Sequence, residues 1–135
     1  MIALPEWADG AVAVGWATVE LDRAARELAH LLAPGTDFST AESSVILGAR
    51  CRSGAAAAVP GLWIVLLEPE TEGPLAGTLA HFGEGWAATW IVAGASAARA
   101  RPTARPGPFG AERLLSGGTL NAPYRLGVEA VPSPP

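Results

Sequence analysis

The sequence contains no lysine, so its nine basic residues are all arginine. A Schiff-base nucleophile and a lysine general base are therefore excluded, because both need a lysine amine. The chain carries a net charge of −4 and has a pI near 5.1. No basic surface large enough for nucleic acid is expected from this balance.

Cysteine is nearly absent as well. The single cysteine, Cys51, excludes an intrachain disulfide, and no cysteine–histidine spacing typical of a metal site occurs. In a strand such a residue is more often a small buried side chain than a nucleophile. No apolar run approaches the roughly 20 residues that cross a membrane, and the first residues lack the pattern of a signal peptide. We therefore expect a cytoplasmic protein without membrane contact.

Apolar residues are plentiful, at 50% of the chain against 16% charged residues. This composition is typical of a globular protein with a well-buried core and not of a disordered chain. At 135 residues the chain is predicted to form one domain, residues 1–135.

The first half of the chain reads as a strand, a helix and further strands. AVAVGWATVEL, residues 11–21, is nearly continuous in apolar residues and predicts a central strand. A helix with Asp22 as its N-cap follows, and Pro34-Gly35 ends it. Strands are predicted at 43–53 and 62–69.

A shorter version of this pattern follows. Gly73-Pro74 begins a short helix, since proline fits the first helical position. Strands are predicted at 86–92, 107–118 and 124–131. Prolines between the first two of these strands prevent a long helix there. The second half therefore looks like a copy of the first with a degenerate helix.

Two stretches carry a family resemblance. LLEPETEGPLAGTLAHFGEGWAATWIV, residues 66–92, resembles the middle of methylmalonyl-CoA epimerases and related glyoxalase-like and bleomycin-resistance-like proteins of the vicinal oxygen chelate superfamily. WATVELDRAARELA resembles the first strand and helix of the same family. The resemblance implies an α+β fold in which two βαβββ modules form a curled, half-barrel mixed sheet. The modules would be 11–69 and 86–131, joined by a linker helix within 70–85 and followed by a tail, 132–135.

The resemblance also implies where metal ligands would lie. Transferred residue by residue, the family's four ligand positions fall on Ala13, Val65, Ala88 and Glu129. Three of these side chains are apolar, and one carboxylate does not hold a divalent cation. We therefore expect the metal ligands to be lost, with no metal and no cofactor.

Aromatic residues surround one of those positions. Trp86 and Trp90 are four residues apart, so in an extended strand they share a face with Ala88 between them. The same alternation turns Trp63 and Val65 inward. Small residues below aromatic walls suit an apolar or aromatic small molecule. Each of these tryptophans equally fits a packing role.

The polar candidates lie near the C-terminus. Glu129 would act as a general acid or base if it pointed into an apolar cavity. It would have no such role if it were solvated or paired with Arg125, which is predicted on the same strand face. Tyr124 and Arg125 are further candidates for ligand binding.

Three functions remain open at this stage. The chain could bind and sequester a small molecule, as the metal-free drug-resistance proteins of the superfamily do. It could be a metal-free cyclase or isomerase in natural-product biosynthesis that uses Glu129. It could also be a degenerate subunit whose own side chains fill the cavity. Since proteins of this superfamily commonly pair, we expect a homodimer.

Overall fold

The computed structural model describes residues 2–8, 10–70, 73–92, 104–115 and 124–129. Its strands are β1 Ala13–Ala17, β2 Ser39–Ser44, β3 Ala49–Ala55, β4 Trp63–Pro69, β5 Gly85–Val92, β6 Arg105–Gly107, β7 Gly110–Leu115 and β8 Tyr124–Val128. The α-helices of the described part are α1 Leu21–Leu28 and α2 Pro74–Phe82, and neither is long and apolar enough to cross a membrane.

The strands form one mixed sheet in the order β2-β3-β4-β1-β5-β8-β7-β6. In the first module β1 pairs parallel to β4, and in the second β5 pairs parallel to β8. β1 and β5 pair antiparallel in the middle of the sheet. This arrangement confirms the predicted α+β fold. The degenerate helix predicted for module two lies outside the described residues.

The two edges of the sheet approach each other. The backbone N–H of Val45, next to β2, donates to the carbonyl of Pro106 in β6 at 3.1 Å. The sheet is therefore nearly closed into the predicted half-barrel, and its two faces have different surroundings.

We call the enclosed side of the sheet the inner face and the opposite side the outer face. Inner-face side chains are buried in one cluster that includes Ala13, Val65, Leu67, Ala88, Trp90 and Leu126. The outer face packs against α1 through Ala24 and Leu28. β4 is buried on both faces, which explains its continuous apolar run.

The start of α1 differs from the prediction. The helix begins at Leu21, and Asp22 lies in its first turn instead of at the N-cap. The carboxylate of Glu68 in β4 accepts a hydrogen bond from the Leu21 N–H at 3.1 Å. A carboxylate from a neighbouring strand thus satisfies a helix-terminal donor that a local cap usually binds.

Two predicted strands are hairpins in the structure. The segment predicted as 43–53 contains the end of β2, a turn with Gly48 at φ +66°, and β3. The segment predicted as 107–118 contains the turn between β6 and β7, where Gly110 has φ +93°. Positive φ favours glycine, so each glycine marks a turn that the strand prediction read through.

Candidate functional site

The inner face contains a buried carboxyl group, that of Glu112 on β7, with no exposed surface. The indole Nε1 of Trp90 donates to its Oε1 at 2.9 Å, and the hydroxyl of Ser44 donates to its Oε2 at 2.8 Å. The Leu47 N–H donates to Ser44 Oγ at 3.2 Å, which leaves the Ser44 proton for the carboxyl group. Ser44 belongs to module one, so Glu112 also links the two modules.

Burial raises the pKa of Glu112, and the hydrogen bonds from Trp90 and Ser44 offset only part of this rise. Glu112 therefore keeps its proton to a higher pH than an exposed glutamate. A buried carboxyl group with a raised pKa is a candidate for proton transfer.

Trp90 fills the space above Gly15 of the neighbouring strand. A Cβ atom at Gly15 would lie 2.9 Å from Cζ3 of Trp90 and 2.8 Å from Cδ1 of Leu67. The ring of Phe109 contacts the indole edge-on, with centroids 5.9 Å apart at 81°. Trp90 is thus completely enclosed by protein atoms.

A second glycine makes room for the carboxyl group. A Cβ atom at Gly107 in β6 would overlap the side chain of Glu112. Because β6 is the last strand of the sheet, Gly107 lets this edge close over Glu112. The enclosed carboxyl group therefore depends on the absence of a side chain at Gly107, which lies against it on the neighbouring strand.

The partly exposed rim of the inner face is aromatic. Trp63 and Phe109 contact each other, with ring centroids 6.1 Å apart. The hydroxyl of Tyr124 donates to the carbonyl of Pro74 at 2.9 Å and lies 2.7 Å from the hydroxyl of Thr78. The Tyr124 hydroxyl thus links α2 to the sheet by hydrogen bonds. A ligand approaching the inner face would meet Trp63 and Phe109 first.

No protein-family model and no curated protein sequence matches the chain, but several solved structures do. Methylmalonyl-CoA epimerase from Mycobacterium tuberculosis is 23% identical, with a TM-score of 0.57 over 84% of this chain and 81% of that chain. A Streptomyces coelicolor methylmalonyl-CoA epimerase variant in complex with 2-nitronate-propionyl-CoA is 19% identical, with a TM-score of 0.63 over 90% and 96%. A hypothetical protein from Bacillus halodurans C-125 is 17% identical, with a TM-score of 0.61 over 84% and 88%.

The chain has the vicinal oxygen chelate fold. Its internal repeat locates the position that corresponds to Val65 in module two. When Ala13 is matched to Ala88, the pairing of β1 with β4 and of β5 with β8 matches Val65 to Leu126. Leu126 is buried on the inner face, whereas Glu129 lies beyond the end of β8 and is exposed.

The residues at these positions do not fit a divalent metal. Ala13, Val65, Ala88 and Leu126 have no donor atoms in their side chains. The described residues also contain no group of three or more histidine, cysteine, aspartate or glutamate side chains that could hold an ion. We derive no chemical step through a metal.

Most of the apolar residues that were predicted to face the cavity lie on the inner face of the sheet. Ala13, Val65, Ala88 and Trp90 are buried together in the inner-face cluster, with Trp63 and Tyr124 packed against it. Whether they bind a ligand stays a prediction.

The predicted orientation of Trp86 needs correction. A bulge between Gly15 and Trp16 shifts the register, so that Trp16 pairs with Trp86. Trp86 therefore joins the outer-face cluster, where its ring meets that of Trp16 edge-on at 5.1 Å. Strict alternation fails here because one extra residue, Ala87, interrupts it.

The two charged candidates lie away from the inner face. Arg125 pairs in register with Thr89, and both point to the side opposite Tyr124 and Leu126. Glu129 is exposed one residue after β8. Their predicted roles are not supported by burial, and the buried carboxyl group belongs to Glu112.

The sequence analysis missed Glu112 and Ser44. Glu112 and Arg113 are neighbours in a predicted strand, so their side chains point to opposite faces, and one charged residue had to point inward. The alternation of the strand therefore predicted one inward charge, but it did not show whether Glu112 or Arg113 carries it. Ser44 gave no comparable signal.

Proposed function

We propose that the chain is a metal-independent protein of the vicinal oxygen chelate fold that binds an apolar or aromatic small molecule at its inner face. The observation that carries this proposal is the aromatic rim of Trp63 and Phe109 above the buried pair of Trp90 and Glu112. Flat aromatic ligands stack on such rings, and one polar group orients them. The S. coelicolor epimerase binds a CoA-linked small molecule on the same fold.

Entry of the ligand involves Phe109. Trp90 and Ala88 have no exposed surface, so a ligand that reaches them must displace a covering side chain. Phe109 is partly exposed and lies in the turn between β6 and β7. Its displacement would uncover the Trp90 ring next to the Glu112 carboxyl group. If the ligand leaves unchanged, the protein serves sequestration or resistance.

The binding test is a fluorescence titration of protein treated with a chelator. Uncharged polycyclic aromatic compounds should quench tryptophan emission saturably, and divalent metals alone should not. Trp63→Leu should weaken binding about tenfold, since an aromatic contact of this kind contributes about 1 kcal/mol beyond the apolar area it buries. Trp16→Leu is the matched control, because Trp16 belongs to the outer-face cluster. Equal weakening by both substitutions, or a metal requirement, contradicts the proposal.

The second candidate is a metal-free isomerase or cyclase of secondary metabolism. The enclosed carboxyl group of Glu112 favours it, because burial and two hydrogen bonds hold a proton-transfer group in one place. Such a group would take a proton from one ligand atom and return it to another. Glu129, predicted for this role from the sequence, is the alternative carboxylate.

The matched variants Glu112→Gln and Glu129→Gln separate these assignments. A bound ligand incubated with the protein in D₂O should acquire deuterium if the protein catalyses proton transfer. Loss of exchange in Glu112→Gln alone assigns the reaction to the buried carboxyl group, and loss in Glu129→Gln alone restores the sequence-based assignment. Binding without exchange in the unmodified protein leaves the sequestering function.

We further propose that the protein is a cytoplasmic homodimer. The support is the vicinal oxygen chelate fold, whose members commonly pair their modules. Analytical ultracentrifugation at micromolar concentration should give twice the mass of 13.7 kDa. A monomer at every concentration up to about 100 μM would refute the dimer.

A further inference from the structure

A pocket lies at the start of β5, and neither Glu112 nor Trp90 lines it. It has a volume of about 330 Å³ and is enclosed by the N-terminal segment, the end of α2 and the first residues of β5. Its size lies within the usual range for small-molecule sites. We call it the α2–β5 pocket, and its aromatic lining residues are Trp7, Phe82 and Trp86.

Of the aromatic side chains of this pocket, Trp86 is fixed by contacts with the protein and Phe82 is largely exposed to solvent. The indole Nε1 of Trp86 donates to the carbonyl of Ala3 at 2.9 Å, which ties the N-terminal segment to β5. Trp16 contacts the same ring edge-on. Phe82 at the rim is 67% exposed, unusually so for a large apolar residue. The Phe82 ring contacts that of His81 edge-on, with centroids 4.4 Å apart, so aromatic rings lie on more than one side of the pocket.

The charged residues that line the pocket are both acidic, Glu6 and Glu84. Burial raises the pKa of Glu84, but hydrogen bonds from Arg23, the Val19 N–H and Thr18 outweigh it and lower the pKa overall. Glu84 is therefore ionised and paired with Arg23. Glu6 forms no ion pair with another described residue, so its negative charge remains for a ligand.

We infer that the α2–β5 pocket binds an organic cation of the quaternary ammonium class. The faces of indole and phenyl rings attract a cation, and tryptophan does so most strongly. The Glu6 carboxylate adds attraction for a cation from the rim and disfavours an anion. A neutral ligand would contact the rings but gain nothing from the charge.

Choline and its uncharged isostere 3,3-dimethylbutan-1-ol test this inference directly, because they differ in charge at nearly constant shape. Binding is followed by chemical shifts of the indole N–H signals. Choline should bind about tenfold more tightly than the alcohol, within the range of a cation–π interaction. Glu6→Gln should weaken choline about twofold to fivefold, as expected for a partly solvated charge, and leave the alcohol unchanged. Glu42→Gln, an exposed residue outside the pocket, is the matched control.

Gly85→Leu provides an independent variant. Gly85 lines the pocket, and a Cβ atom there meets nothing within 4 Å, so a leucine at this position should reduce the volume of the pocket. This variant should abolish choline binding, whereas Glu112→Gln on the inner face should leave it intact. Equal affinity for choline and the alcohol, no binding of choline at 50 mM, or full binding by Gly85→Leu would each overturn the inference. None of these outcomes depends on the inner-face function.

Discussion

The Glu112→Gln substitution tests the central physical argument, that burial raises the pKa of the Glu112 carboxyl group. Glutamine has nearly the same shape but does not titrate. Its carbonyl can accept from Trp90, and its amide can donate to the hydroxyl of Ser44. Its amide nitrogen cannot accept the hydrogen bond that Oε2 of Glu112 accepts from Ser44, and the loss of this bond costs about 0.5–1.5 kcal/mol.

The pH dependence has a defined sign. An unfolded glutamate has a pKa of about 4.3, and burial raises the pKa of Glu112 in the folded protein above that value. Between the two pKa values the folded state binds more protons than the unfolded state. The contribution of Glu112 to stability is therefore fully present below the unfolded pKa and is lost as pH rises through the folded pKa. Each pKa unit between them corresponds to ~1.4 kcal/mol.

Urea unfolding of both proteins at pH 4 and pH 8, on either side of the pI near 5.1, measures this contribution. The difference between the two proteins cancels every other titrating group. Cys51, which belongs to the same buried cluster, stays neutral because burial raises its pKa to about 12. The variant should match the unmodified protein within about 1 kcal/mol at pH 4 and be the more stable of the two at pH 8. A difference independent of pH, or one of opposite sign, would refute the buried-carboxyl argument.

Three other predictions address packing and charge. Gly15→Ala should lower the free energy of unfolding by about 1–3 kcal/mol because its Cβ meets enclosed side chains. Gly77→Ala is the control. Its Cβ meets nothing within 4 Å, so this substitution should raise the free energy of unfolding by about 0.5–1 kcal/mol. Equal effects in urea unfolding would contradict the packing of the inner face. About one Cys51 thiol in ten thousand is ionised at pH 8. Cys51 should therefore not react with Ellman's reagent until urea unfolds the protein. Fast reaction of the folded protein would show that the thiol is accessible. Glu84→Gln should be less stable than the unmodified protein at pH 7 and converge with it in acid, since a lowered pKa gives stability that is lost as pH falls; a constant gap from pH 7 to pH 3 would contradict this.

Local patterns predicted the elements whose residues are buried in the middle of the sheet. β1 and β4 are continuous apolar runs because both faces are covered, and α1 follows from helical spacing. β2, STAESS, is polar because it is an edge strand, so its sequence resembles a loop. The bulge that turns Trp86 outward depends on pairing with β1 and leaves no local signal. Glu112 is buried only because the sheet closes, which brings it to Ser44 across 68 residues of chain.

The repeat within the sheet shows how the candidate site is divided. With Ala13 matched to Ala88, Gly15 corresponds to Trp90, and the pairing of β3 and of β7 makes Cys51 the counterpart of Glu112. Module one thus contributes space and a neutral thiol where module two contributes an indole and a carboxyl group. A symmetric site would place the same chemistry in both halves. Gly15 in module one instead leaves space that the Trp90 ring of module two occupies. The Glu112 carboxyl group is hydrogen-bonded to that ring.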